Sequence, residues 1–232
     1  MTQTVEQLAG LRTVVVESEE RPMAAVVMLH GYAMTPEDMA PFCTSMGAPA
    51  MYYLPEAPLQ AEVSGRAWWP IDQERRAASM AIGPRDLSAE HPVGAEMARR
   101  VLCEVICEVE NRHRQLPLLL VGFSQGGMLA CDVLLRDGLK VAGLVLLSAS
   151  RISVDEWEPL ADRLARLPVL VSHGINDPDL AFTAGERLRD LCLAGGADVT
   201  WVPFEGDHGI PLIVWRALRK FIQRTMAAPG PR

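Results

Sequence analysis

An α/β domain with a mostly parallel central sheet, covered by helices on both faces, is the fold class this sequence predicts. Two observations predict it. Short apolar, β-branched runs alternate with stretches of helical period. The later runs are also continuously apolar, as strands buried on both faces must be. The 232 residues are 49% hydrophobic, and no low-complexity linker interrupts them. That content suits one core and one domain, read as residues 1–226 with a tail at 227–232.

The elements follow in order. Thr13–Val16 and Ala25–Leu29 read as strands, and the charged Glu17–Pro22 between them reads as a hairpin-type turn. Ala50–Leu54 is a third strand. From Pro55 to Gly94 no period is sustained, several prolines occur, and Trp68-Trp69 stand side by side. A connection that long in one domain reads as a lid or binding wall. Ala98, Val101, Leu102, Val105, Ile106 and Val109 then repeat at helical spacing, opposite Arg99, Arg100, Glu104 and Glu108. Leu118–Val121 is a strand, Gly127–Leu135 a helix, and Val141–Leu147, Val169–Val171 and Val199–Phe204 are further strands. Val214, Trp215, Leu218, Phe221 and Ile222 form a last helical stripe, after Pro211 at its start.

Composition narrows the function. A net charge of -7 argues against nucleic acid as a partner, because phosphate contacts need a basic surface. The opening Met1–Gln7 has neither a basic start nor an apolar core, so no secretory signal is expected. No apolar run approaches a membrane span, so no integral membrane association is expected. Five cysteines cannot all pair and read as buried, reduced thiols, which places the chain in the cytoplasm. Cys103 and Cys107 lie four apart on a helix, but no histidine or second cysteine pair completes a metal site there. A monomer and a homodimer both stay open.

Chemistry concentrates at Gly122-Phe123-Ser124-Gln125-Gly126. A strand leads into this stretch and a helix leaves it, so Ser124 stands at the tip of a tight turn, a nucleophile elbow. Serine needs a base, and the base needs an acid to orient it. With the order serine, acid, histidine, the bases available are His173 and His208. His208 sits in a loop after the final strand, whereas His173 ends a strand and reads equally as a packing or hydrogen-bonding residue. Asp177, in the loop after that strand and followed by Pro178, is the acid candidate. Asp207 adjoins His208 too closely for a good carboxylate–imidazole bond, and Asp179 reads as a solvated surface charge. Main-chain N–H groups of Gln125 and of Tyr32, which follows the strand-ending His30-Gly31, are placed to serve a developing oxyanion.

His30-Gly31, Arg66-Ala67-Trp68-Trp69, Gly122-Phe123-Ser124-Gln125-Gly126-Gly127, His173-Gly174 with Asp177-Pro178, and His208-Gly209-Ile210-Pro211 together resemble the phospholipase/carboxylesterase family of α/β-hydrolases, which includes acyl-protein thioesterases. The resemblance spans roughly Ala24 to Phe221. It implies an α/β-hydrolase fold and a serine hydrolase without cofactor or metal, acting on a small-molecule ester or thioester. Carried over by position, it implies a triad of Ser124, Asp177 and His208 and an oxyanion hole at Tyr32 and Gln125. Met34, Trp68 and Trp69 would lie beside the acyl pocket. Two positions depart from the family pattern: Asp179-Leu180-Ala181-Phe182 follows Asp177-Pro178 where apolar residues and a proline are common, and Tyr32 stands where an aliphatic residue is common. Two other readings use the same residues: a hydrolase-like protein that binds a small ligand without turnover, and an acyltransferase.

Overall fold

Eight strands share one sheet, with a short hairpin apart from it, in the computed structural model, which describes residues 1–227. The strands run β1 (Thr2–Leu8), β2 (Leu11–Glu17), β3 (Ala24–Leu29), β4 (Ala50–Pro55), β5 (Leu59–Gln60), β6 (Arg66–Ala67), β7 (Leu118–Phe123), β8 (Gly143–Leu147), β9 (Pro168–Gly174) and β10 (Asp198–Phe204). The sheet order is β1-β2-β4-β3-β7-β8-β9-β10, and β5 pairs only with β6. Neighbours from β4 to β10 are parallel, whereas β2 is antiparallel to both β1 and β4. The mostly parallel sheet expected from the apolar runs is therefore present.

The helices are α1 (Pro36–Met46), α2 (Gln73–Ile82), α3 (Ala95–Arg112), α4 (Gln125–Asp132), α5 (Val154–Trp157), α6 (Phe182–Ala194) and α7 (Leu212–Ala227). Period-two alternation divides them between the two faces of the sheet. Val27 and Leu29 of β3 pack with Leu102, Ile106, Leu129 and Leu188 of α3, α4 and α6. Val26 and Met28 pack on the other face with Met39 and Cys43 of α1 and Leu218 and Ile222 of α7. In α7 the whole predicted stripe is buried, and in α3 all of it except the half-buried Val101.

Several sequence expectations are corrected. Glu17–Pro22 does not close a hairpin: β4 inserts between β2 and β3, and α1 supplies the crossover that a parallel β3–β4 pair requires. Strand β1, made mostly of exposed polar residues, pairs with β2 across Ala9-Gly10, both at positive φ (48° and 79°). Cys107 is exposed rather than buried. The tail read at 227–232 lies, from residue 228, outside the described residues, and Ala227 closes α7. The irregular stretch 55–94 holds the β5–β6 hairpin and also α2, whose Asp72 cap accepts the Arg75 N–H at 2.9 Å. No residue of α2 is buried, so no apolar stripe announces that helix. Among the described residues no helix is long and apolar enough to cross a membrane.

Candidate active site

The turn between β7 and α4 forces its serine into an unusual backbone. Ser124 has φ 52° and ψ −117°, a strained conformation for a residue with a Cβ. Its N–H donates to Leu147 O at 2.8 Å, and its carbonyl accepts from Gly127 and Met128 at 2.9 and 3.0 Å. The flanking glycines are there for contact. A Cβ on Gly122 would lie 2.3 Å from Gly126 O, and one on Gly126 would lie 2.5 Å from Leu29 O. Side chains at either position would push α4 away from the sheet.

The other two side chains converge because β9 and β10 are neighbours and run parallel, with Gly174 opposite Phe204. Their following loops leave the same edge, next to β8 and β7. Ile175 and Asn176 donate to Phe204 O and Gly206 O, both at 2.9 Å, which zips the two loops together. The Ser148 hydroxyl donates to Gly209 O at 3.2 Å and anchors the histidine loop to the end of β8.

At this edge the Ser124 hydroxyl lies 2.9 Å from His208 Nε2, and His208 Nδ1 lies 2.6 Å from Asp177 Oδ2. Because the carboxylate only accepts, Nδ1 carries the proton and Nε2 is free to accept from serine. Asp177 is fully subscribed. Its Oδ1 accepts the N–H groups of Asp179 and Leu180, both at 2.9 Å, and its Oδ2 also receives His173 Nε2 at 3.3 Å. Burial alone would raise this carboxyl, but the hydrogen bonds from His173 and His208 outweigh it and hold Asp177 far below the usual carboxylate range. His173 is thus a buried partner of Asp177, while His208 is the imidazole that reaches Ser124; His173 Nε2 also lies 3.0 Å from Leu180 O. Asp207 is exposed, and no hydrogen bond joins its carboxylate to His208. Asp179, expected as a solvated charge, is instead buried between Arg76 and Arg85, because the two guanidiniums compensate its charge.

A cavity of about 1140 Å³ opens over these residues, with Tyr32, Gln125, Phe123 and Met128 in its wall beside Ser124 and His208. Gln125 is the first residue of α4, so its main-chain N–H has no acceptor within the helix and remains available to an anion. Its side chain does a second task that the sequence did not suggest. The carboxamide oxygen accepts the Trp68 N–H and the amide donates to Trp69 O, both at 2.9 Å. Phe123 packs on the His208 ring at 5.1 Å between centroids.

Of the three expected substrate-binding residues only Trp69 lines the cavity. Both tryptophans are buried, but Trp68, its ring tilted by 32° against that of His30, donates Nε1 to His30 O at 2.9 Å, and satisfying its indole N–H turns it away from the cavity. Met34 packs against the α1 and α7 side of the core and pairs its main chain with Arg66. His30 itself is buried: Nδ1 lies 2.8 Å from Gly31 O, and Nε2 accepts the Ala57 N–H at 3.1 Å. Burial lowers its basicity and keeps it neutral in that arrangement.

The family model described as Phospholipase/Carboxylesterase matches residues 11–226 of this chain. An acyl-protein thioesterase 1 from Cryptococcus neoformans is 32% identical over 92 residues, a match that spans 36% of this chain and 36% of that relative's length. Among solved structures, a carboxylesterase from Mesorhizobium loti superposes with a TM-score of 0.77 at 17% identity, covering 100% of both chains. Acyl-protein thioesterase 2 from Zea mays superposes with a TM-score of 0.74 at 19% identity, covering 93% of this chain and 99% of that one. At such identities the structural likeness bears on the fold.

Proposed function

This chain belongs to the phospholipase/carboxylesterase family and has the α/β-hydrolase fold, and from that premise we propose that it is a serine hydrolase of carboxylic esters and thioesters. One observation carries the reading: the unbroken line of hydrogen bonds from Ser124 Oγ through His208 to Asp177. His208 Nε2 removes the serine proton as Oγ attacks the acyl carbon, and Asp177 steadies the imidazolium that forms. The carbonyl oxygen becomes an oxyanion, met by the main-chain N–H groups of Gln125 and Tyr32. Collapse expels the alcohol or thiol, which takes the proton from His208 and leaves an acyl-serine. Water, deprotonated by the same imidazole, then releases the acid and regenerates the hydroxyl.

A panel of p-nitrophenyl esters and acyl thioesters of rising chain length tests the reading, beside labelling by a fluorophosphonate probe. Wild-type protein should hydrolyse members of the panel and label at Ser124. In Ser124→Ala, kcat should drop on the order of a million-fold with folding retained. Ester hydrolysis surviving in that variant would overturn the assignment. Wild-type protein that neither labels nor turns over would be a ligand-binding relative, and ester products appearing only with added alcohol would make it an acyltransferase.

A further inference from the structure

Asp179 belongs to an ion cluster that no step above employs. It follows Asp177 by two residues, and its side chain is only 10% exposed. Arg76 Nη2, from α2, lies 2.5 Å from Oδ2, and Arg85 Nε lies 3.1 Å from Oδ1, which Arg85 Nη2 also contacts. The main chain repeats the link: Arg85 N–H donates to Asp179 O at 2.9 Å, and Ala181 N–H donates to Arg85 O at 2.8 Å. Burial would raise the Asp179 carboxyl, yet the hydrogen bonds from Arg85 and Arg76 prevail and keep it ionised. On its other side the Asp179 N–H donates to Asp177 Oδ1 at 2.9 Å. A single residue therefore grips the cavity wall with its side chain and the triad acid with its backbone.

Helix α2 itself has little other hold, whereas the chain after it is tied down by Asp86 to Arg187, by the Leu87 N–H to Ser150 Oγ at 3.2 Å and by Leu87 against the core. With no buried residue, α2 gains nothing from an apolar face. Its remaining tethers are polar: Gln73 Nε2 donates to the Tyr32 hydroxyl at 2.9 Å, and the Arg76 guanidinium lies 5.8 Å from the Tyr32 ring centre. Arg75 pairs with Glu90 at 2.6 Å, within the same excursion.

We infer that Asp179 is a positioning residue which makes docking of α2 and alignment of Asp177 a single event. The inference rests on the reading of Ser124, His208 and Asp177 as the catalytic triad. When Arg76 and Arg85 hold the Asp179 carboxylate, the Asp179 N–H is aimed at Asp177 Oδ1, and Oδ2 is left facing His208. Losing the clamp releases both α2 and the acid loop.

The test uses Asp179→Asn, Arg76→Gln and the double variant, with active serines counted by the fluorophosphonate probe. In Asp179→Asn, kcat per titrated serine for a short p-nitrophenyl ester should fall about ten- to a hundredfold, since small misplacements next to the chemistry carry costs of that size. Arg76→Gln should fall less, Arg76→Lys should recover most of that loss, and the double variant should be no worse than Asp179→Asn. Hydrogen exchange over 73–82 should quicken in Asp179→Asn and in Arg76→Gln. A merely structural role would lower Tm and the titratable fraction while leaving kcat per titrated serine at the wild-type value, and that result overturns the inference. Should Asp179→Asn fail to fold, the half-buried Arg76 carries the same test through its Gln and Lys variants. Wild-type protein without ester turnover would sink the functional reading itself, whereas turnover unaltered in all variants would sink only the role of Asp179.

Discussion

Replacing Asp177 by asparagine exchanges one oxygen for an NH2 group and should nearly abolish the proposed hydrolysis. Two main-chain N–H groups, from Asp179 and Leu180, point at Oδ1, and these donors cannot change sign. The asparagine oxygen must therefore take that position, which sends its NH2 to the Oδ2 position, 2.6 Å from His208 Nδ1. Two N–H groups cannot bond one another. His208 answers by moving its proton to Nε2, which then donates to Ser124 Oγ instead of accepting from it. The base is lost while size, packing and fold stay. The expected fall in kcat is about 10⁴, some 5–6 kcal/mol in the barrier, the order that wrong-tautomer variants of such triads show. Steady-state kinetics on a p-nitrophenyl ester, with thermal unfolding as the control for folding, measures it. A folded Asp177→Asn variant within tenfold of wild type would refute the tautomer argument.

Other predictions follow from the same contacts. Gly126→Ala places a methyl 2.5 Å from Leu29 O and 2.6 Å from His30 O, so urea unfolding should register a loss of about 3 kcal/mol. An unchanged midpoint would mean that α4 shifts freely. The His30 imidazole is held neutral by burial, so below the unfolded value of about 6.5 the unfolded chain takes up a proton that the native state refuses. Stability should accordingly fall as pH drops beneath that point, with a shallower slope in His30→Gln; equal slopes would assign the effect elsewhere, His113 being the other imidazole lowered by burial. Trp68→Phe removes the donor to His30 O and should cost about 1–2 kcal/mol of stability without changing KM, whereas Trp69→Ala should raise KM. Equal KM effects would return Trp68 to the pocket wall.

Much of the site was legible because its constraints are local. Gly122 and Gly126 are needed for contacts within a few residues of Ser124, so the turn carries its own signature. Asp177 and His208 follow adjacent parallel strands, and chain order alone brings such loops to one edge. The family read from these motifs is the one whose model matches the chain. The less legible parts depend on distant partners. Strand β1 borrows its order from β2, and its exposed polar residues give no apolar alternation to detect. Asp179 resembles any loop carboxylate until Arg76 and Arg85, about a hundred positions upstream, are folded onto it. Trp68 and Trp69 are indistinguishable in sequence and both are buried; only the bond from Trp68 Nε1 to His30 O marks the one that does not reach the cavity wall.

The helix α2, which roofs the cavity without contributing a buried residue, separates two kinds of inheritance in this chain. Substitutions along most of its length touch no packed interior and so carry small folding costs. Away from Arg76, drift can therefore recolour the roof, altering charge and shape above Ser124, while the glycines and the acid loop beneath stay unchanged. New substrate preferences in descendants of this protein should arise first between Gln73 and Ile82.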